Sequence, residues 1–262
     1  MSLITSTDNS RIKEARSLQH KRQRLAAGRC LLEGLRLVED AWRAGSRPDR
    51  VFFVPEAAAA NPALAQLAAD FTAAAVEILA CTPQVFQTLA DTVTPQGIAA
   101  VVPMPDLPPP PIPGLVLVLD GIGDPGNAGT LLRTAEAAGV GLVIFAPHTV
   151  DAFNPKVLRA GMGAHFRLPL RTCEDWDAVK VHLHPAWPIY VADAQAELAY
   201  DQVNWTHPAV LILGSEATGP SPAARRLGRP IAIPMAGGTE SLNAAIAGAV
   251  ILFEAARQRH RA

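Results

Sequence analysis

The run Pro103-Met104-Pro105-Asp106-Leu107-Pro108-Pro109-Pro110-Pro111-Ile112-Pro113 constrains this chain more than any other stretch. Each proline fixes φ and removes a backbone donor, so the run can neither continue a helix nor enter the middle of a sheet. It favours extended polyproline geometry and acts as a semi-rigid spacer. The 262 residues are therefore expected to fold as two units, 1–104 and 114–262, around a linker at 105–113.

The two flanking regions show different patterns. After the linker, apolar runs of strand length at 115–120, 141–146, 166–170, 188–192 and 210–213 alternate with helical patterns at 131–139, 154–162, 176–183 and 242–257. Strands apolar on both faces imply a mainly parallel sheet covered on both sides. Before the linker, shorter strands at 31–32, 51–54, 76–79 and 98–102 alternate with helices beginning at Leu35, Asn61 and Pro83. That pattern is a smaller α/β unit.

Charge is nearly balanced overall, at −1, which excludes a globally basic coat for nucleic acid but leaves room for a local patch. Arg11, Lys13, Arg16, Lys21, Arg22 and Arg24 crowd into one segment against the single acid Glu14. The segment from 11 to 29 reads as one basic, weakly amphipathic helix, either a solvated surface or a face that displaces counterions from phosphates. Lys156 and Arg159 carry the same two readings. Cys30, Cys81 and Cys173 are too far apart for a metal-ligand spacing, so no metal is expected and the thiols fit a reducing compartment. No apolar signal core opens the chain and no stretch has the length and flanks of a membrane span, so a soluble cytoplasmic protein is expected.

Gly121, Gly123 and Gly126 fit the spacing of a dinucleotide-binding turn between a strand and a helix. Asp124 would put a carboxylate near a pyrophosphate, and the next strand ends at Ala146-Pro147 without an acid for a ribose. A nicotinamide-dependent dehydrogenase is accordingly disfavoured. The same turn offers Asn127 as a helix cap, and Arg133 as a cation in an otherwise apolar helix. A cation there needs an anion, either a ligand or a neighbour such as Glu136. The last such turn is Ile233-Pro234-Met235-Ala236-Gly237-Gly238-Thr239-Glu240-Ser241-Leu242-Asn243. Its glycines permit close backbone approach to a ligand, and Ser241 and Asn243 can cap the helix that follows. Ile246, Val250 and Phe253 give that helix a flat packing face, read as buried.

Three segments stand in order: Asp124-Pro125-Gly126-Asn127-Ala128-Gly129 with Arg133; Gly214-Ser215-Glu216 with Gly219; and Ile233-Pro234-Met235 with Ser241-Leu242-Asn243. Together they resemble the three motifs of the SpoU (TrmH-like) RNA ribose 2′-O-methyltransferases of the SPOUT superfamily. Leu31-Leu32-Glu33-Gly34-Leu35-Arg36, with the residues to Ala41, resembles the L30e-like substrate-binding domain often found ahead of that catalytic domain. The resemblance implies an α/β-knot, a deep trefoil crossing on a mainly parallel sheet, and a homodimer. It implies S-adenosylmethionine held by Gly214, Ile233 and Leu242, with Met235 and Gly219 beside them. Arg133 matches the catalytic position, and Asn127, Glu216, Ser241 and Asn243 match the supporting ones. Arg133 has two possible roles, assisting deprotonation of the 2′-hydroxyl or orienting phosphate and hydroxyl. Glu216 could favour the sulfonium charge or orient Arg133. The implied substrate is structured RNA, ribosomal rather than transfer RNA by analogy with the extra domain, and an inactive RNA-binding relative is the remaining alternative. Ala217 and Pro220 depart from the family pattern and put the shape of the second loop in doubt.

Overall fold

The computed structural model describes residues 3–238 and 241–260; Thr239 and Glu240 of the third motif lie outside the described residues. The elements run α1 (Ser10–Ser17), α2 (Lys21–Ala27), β1 (Arg29–Glu33), α3 (Leu35–Arg43), β2 (Arg50–Phe53), α4 (Pro55–Ala60), α5 (Pro62–Ala73), β3 (Glu77–Ala80), α6 (Pro83–Gln87) and β4 (Ile98–Pro103). There follow β5 (Leu115–Asp120), α7 (Pro125–Ala137), β6 (Leu142–Phe145), α8 (Pro155–Ala160), β7 (Leu170–Thr172), α9 (Trp176–Val181), β8 (Ile189–Ala192), β9 (Ala209–Gly214), α10 (Pro222–Leu227), β10 (Arg229–Ile231) and α11 (Ala244–Arg259). One compact unit comprises the chain up to Pro105 together with Phe153–Phe166; the other comprises Asp106–Ala152 and the residues from Arg167 onward. Residues 153–166, inside the expected second domain, thus pack with the first unit.

The first unit is built on a mixed sheet of order β1-β4-β2-β3, in which β4 runs antiparallel to both neighbours. Ile12, Leu18, Phe52 and Phe86 fill its core. The basic segment is two helices, not one. Leu18 is buried and ends α1, α2 starts after His20, and Gly28 at φ 62° stops it in the left-handed region. Arg24 folds back from α2, and its Nη1 donates to the carbonyls of Leu18 and Gln19, both at 2.8 Å. The helix-end carbonyls thereby find a partner, and Arg24 is buried rather than part of an exposed basic face.

The second unit is a six-stranded parallel sheet of order β10-β8-β9-β5-β6-β7. From β5 the chain steps outward through β6 to β7, then crosses to build β8, β9 and β10 on the other side. Strand order therefore reverses between β5 and β9, which pair from Leu115↔Ala209 to Asp120↔Gly214. A crevice outside the carboxyl ends of strands at such a reversal is where open parallel sheets bind ligands. Leu115 to Leu119 are fully buried, each side chain contributing about 1.5–3 kcal/mol.

Several boundaries differ from those read in the sequence, each for a local reason. α7 begins at Pro125, because Asp124 caps it and proline is tolerated at the first helical position. The expected strand at 166–170 lies at Leu170–Thr172, since residues 164–166 form a 3₁₀ turn. α11 buries its small residues: Ala244, Ala245, Gly248, Ala255 and Ala256, with Ile251 and Leu252. Ile246 is instead 55% and Phe253 52% exposed, so the expected buried face points to solvent. At Gly248 a Cβ would stand 2.4 Å from Leu131 and 2.7 Å from Leu213, which explains why the packing face is small.

Candidate active site

Strand β9 ends at Gly214, where a Cβ would lie 2.2 Å from the Pro220 nitrogen and 2.3 Å from the Gly219 carbonyl carbon. Only glycine fits. Gly219 has φ +66°, and its N–H donates to the Ser215 carbonyl at 2.9 Å, closing a tight turn. The last residue of β5, Asp120, is buried and accepts the Ser221 N–H at 2.6 Å, pinning the far end of this loop. Pro220 therefore packs directly on Gly214 and stiffens the second loop.

This turn, the end of β10 and the start of α11 enclose a cavity of about 280 Å³. Gly214, Gly219, Ile233, Met235 and Leu242 all line it, as do Glu216 and Ser241. The expected cofactor contacts are thus brought to one place. Leu213, Ile231, Ala247 and Ile251 make the walls apolar, with a few convergent polar groups, the usual composition of a small-molecule site.

At the cavity's edge Glu216 collects donors. Asn127 Nδ2 donates to Glu216 Oε1. Asn243 Nδ2 donates to the same oxygen at 3.1 Å and to Asn127 Oδ1 at 3.1 Å, and the Ala244 N–H approaches Oε1 at 3.4 Å. Asn243 Oδ1 accepts the N–H groups of Ala245 and Ile246 at 2.9 and 3.3 Å, the cap read from the sequence. A carboxylate at the N-terminus of a helix is also favoured by the helix dipole. Asn127 is not the cap of α7; that role is Asp124's, whose Oδ1 accepts the Asn127 N–H at 2.7 Å. The Asn127 amide is thereby released for Glu216.

Arg133 is exposed on α7 and does not line the cavity. Glu136, the acid considered as its partner, binds Arg167 instead, with Nη2 to Oε2 at 3.0 Å. Among the described residues the Arg133 side chain makes no hydrogen bond or ion pair, so its guanidinium donors are open to a ligand. Several expected RNA contacts are occupied. Arg11 pairs with Glu77 and Lys13 with Asp8, both at 2.8 Å, and Arg159 pairs with Asp91 at 2.7 Å and Glu33 at 3.6 Å. Arg16 is half-buried. Lys21, Arg22 and Lys156 are exposed.

Asp120, Asp193 and Arg225 were not singled out from the sequence. The available signal was a carboxylate at or just after the end of an apolar strand, as for Asp120 and Asp193. Asp193 binds Arg225 through its carboxylate, and both residues line the cavity.

The chain is similar to known proteins over most of its length. A model described as the SpoU rRNA Methylase family matches residues 114–253, and one described as an MRM3-like substrate binding domain matches 9–100. The 23S rRNA (guanosine(2553)-2′-O)-methyltransferase RlmP of Bacillus subtilis is 30% identical over 97% of this chain and 98% of its own. Human mitochondrial rRNA methyltransferase 3 is 33% identical over 88% of this chain and 68% of its own. The crystal structure of an AdoMet-bound rRNA methyltransferase from Sinorhizobium meliloti superposes with a TM-score of 0.83 at 30% identity, covering 98% of this chain and 97% of that one.

Proposed function

The chain belongs to the SpoU rRNA methylase family, and from that premise we propose that it methylates a ribose 2′-hydroxyl of ribosomal RNA with S-adenosylmethionine. The observation that carries this reading is the convergence of Gly214, Ile233 and Leu242 on one cavity. The residues present fit the cofactor. Gly214 and Gly219 bring backbone without side chains to the cavity wall, and the apolar walls suit an adenine.

Bound S-adenosylmethionine supplies a methyl group made electrophilic by its sulfonium. The ribose oxygen gains the methyl, the sulfur–methyl bond breaks to leave S-adenosylhomocysteine, and the hydroxyl proton passes to water. The protein's part is alignment, which can supply much of the acceleration when reacting atoms are held about 3–3.5 Å apart. Glu216, gripped by Asn127 and Asn243, fixes the loop after β9 against α7 and α11. Arg133 offers a fork of donors and no acceptor, so its part is to hold phosphate and orient the ribose rather than to take a proton. Lys21, Arg22 and Lys156 grip the RNA backbone, and an unstacked nucleotide is the target.

The reading includes the trefoil crossing, a homodimer and a cytoplasmic location. Exposed Ile246 and Phe253 on α11 support a second copy. Among the described residues no helix is long and apolar enough to cross a membrane. The test is transfer of labelled methyl from S-adenosylmethionine to 23S and 16S transcripts and to bulk transfer RNA. Label in a ribosomal transcript supports the reading; label confined to transfer RNA overturns its choice of substrate.

A further inference from the structure

The cavity carries a second acid that the Glu216 network leaves alone. Asp193 follows the last residue of β8, and its side chain is only 13% exposed. One carboxylate oxygen accepts from Arg225 Nη1, and the other accepts the Gln195 N–H at 3.2 Å. Arg225 Nε donates in turn to the Pro220 carbonyl at 3.2 Å. The pair therefore ties the turn after β8 to the loop after β9, two walls of the cavity.

A carboxylate has about four acceptor positions, and these contacts use two. The guanidinium beside it offsets its charge, so Asp193 offers the cavity directional acceptors more than attraction for a cation. The other described carboxylate lining the cavity, Glu216, is already engaged by Asn127, Asn243 and the start of α11. A ligand containing a nucleoside brings two adjacent ribose hydroxyls, both donors, and an acid at the carboxyl end of a parallel strand is well placed to receive them.

We infer that Asp193 is a specificity-determining residue that accepts hydrogen bonds from the ribose hydroxyls of S-adenosylmethionine, with Arg225 as the positioning residue that fixes its carboxylate. This rests on the cavity being the cofactor site. It adds a selective polar contact to a pocket whose other cofactor contacts are read as backbone and apolar.

Calorimetric titration with S-adenosylhomocysteine and its 2′,3′-dideoxy analogue tests it. Wild type should prefer the diol about 10- to 100-fold, the range for hydrogen bonds to a charged group. Asp193→Ala should reduce the preference to below about 3-fold by weakening only the diol ligand. Asp193→Asn, isosteric and keeping one acceptor oxygen, should fall between and provides the comparison if the alanine variant does not fold. Arg225→Ala should lower the preference part way in the wild-type background and not at all in Asp193→Ala. An undiminished preference in Asp193→Ala and Asp193→Asn, or equal weakening of both ligands, would overturn the inference. So would a wild type that binds both ligands equally, which leaves the cofactor site standing. A wild type that binds neither ligand would overturn the cofactor reading and this inference with it.

Discussion

The side-chain amide of Asn127 donates to the carboxylate of Glu216 across 89 residues of sequence. The contact joins the first turn of α7 to the loop after β9, and Asn243 at the start of α11 donates to both partners. Three segments that are remote in the chain thus meet at one carboxylate oxygen.

Removing that oxygen should affect chemistry far more than folding. Glu216 is exposed, so Glu216→Ala should cost only about 1 kcal/mol of stability. The misplaced loop should lower methyl transfer on the order of 100-fold, the effect of roughly 1 Å of misalignment. Glu216→Gln keeps an acceptor oxygen and should lose less. Thermal melts and single-turnover transfer on the same samples separate the two effects.

The site was legible in the sequence to the extent that its chemistry sits on short motifs. Gly214, Ile233 and Leu242 are named by resemblance to short family motifs, and the strand ends and glycine turns that carry those motifs have local signatures. The partners of the charged residues could not. Arg24 reads as one more cation in a basic helix, and only the break after Leu18 turns it inward. Asp124 and Asn127 compete for one cap, and the proline between them decides it by starting α7 at Pro125. The apolar stripe of Ile246, Val250 and Phe253 has helical period, but period alone does not say which face is covered. Leu131 and Leu213 leave room only for the glycine side of α11. The order of the parallel strands, and hence the crevice beside β5 and β9, depends on pairings between distant segments that no local pattern encodes.

Arg24→Ala should separate structure from binding in the basic segment. It removes donors to two helix-end carbonyls and should destabilise by about 1–3 kcal/mol, seen as a lower denaturation midpoint. Lys21→Ala and Arg22→Ala should leave the midpoint unchanged. Each should reduce the slope of log affinity for RNA against log salt by about 0.7–0.9.

Gly248→Ala places a methyl group where Leu131 and Leu213 already stand. Overpacking of this kind should cost about 1–3 kcal/mol and loosen α11 against α7. Urea titration of this variant against wild type measures it.

Cys81 is fully buried, and burial pushes its thiol up to about 12 from 9.0. The folded state keeps the proton while the unfolded chain loses it, so this contribution to stability is intact below about pH 9 and is lost as pH rises toward 12. The stability difference between wild type and Cys81→Ala should therefore shrink between pH 9 and pH 11 in paired urea titrations. A difference independent of pH would contradict the assignment.

The most direct test of the whole account is nucleoside mass spectrometry of ribosomal RNA treated with S-adenosylmethionine and either wild type or Arg133→Ala. The account predicts one 2′-O-methylated nucleotide with wild type. With Arg133→Ala it predicts a rate at least about 100-fold lower, while S-adenosylhomocysteine binding by calorimetry is unchanged. A methyl group found on a base, or an Arg133→Ala enzyme as fast as wild type, would contradict it.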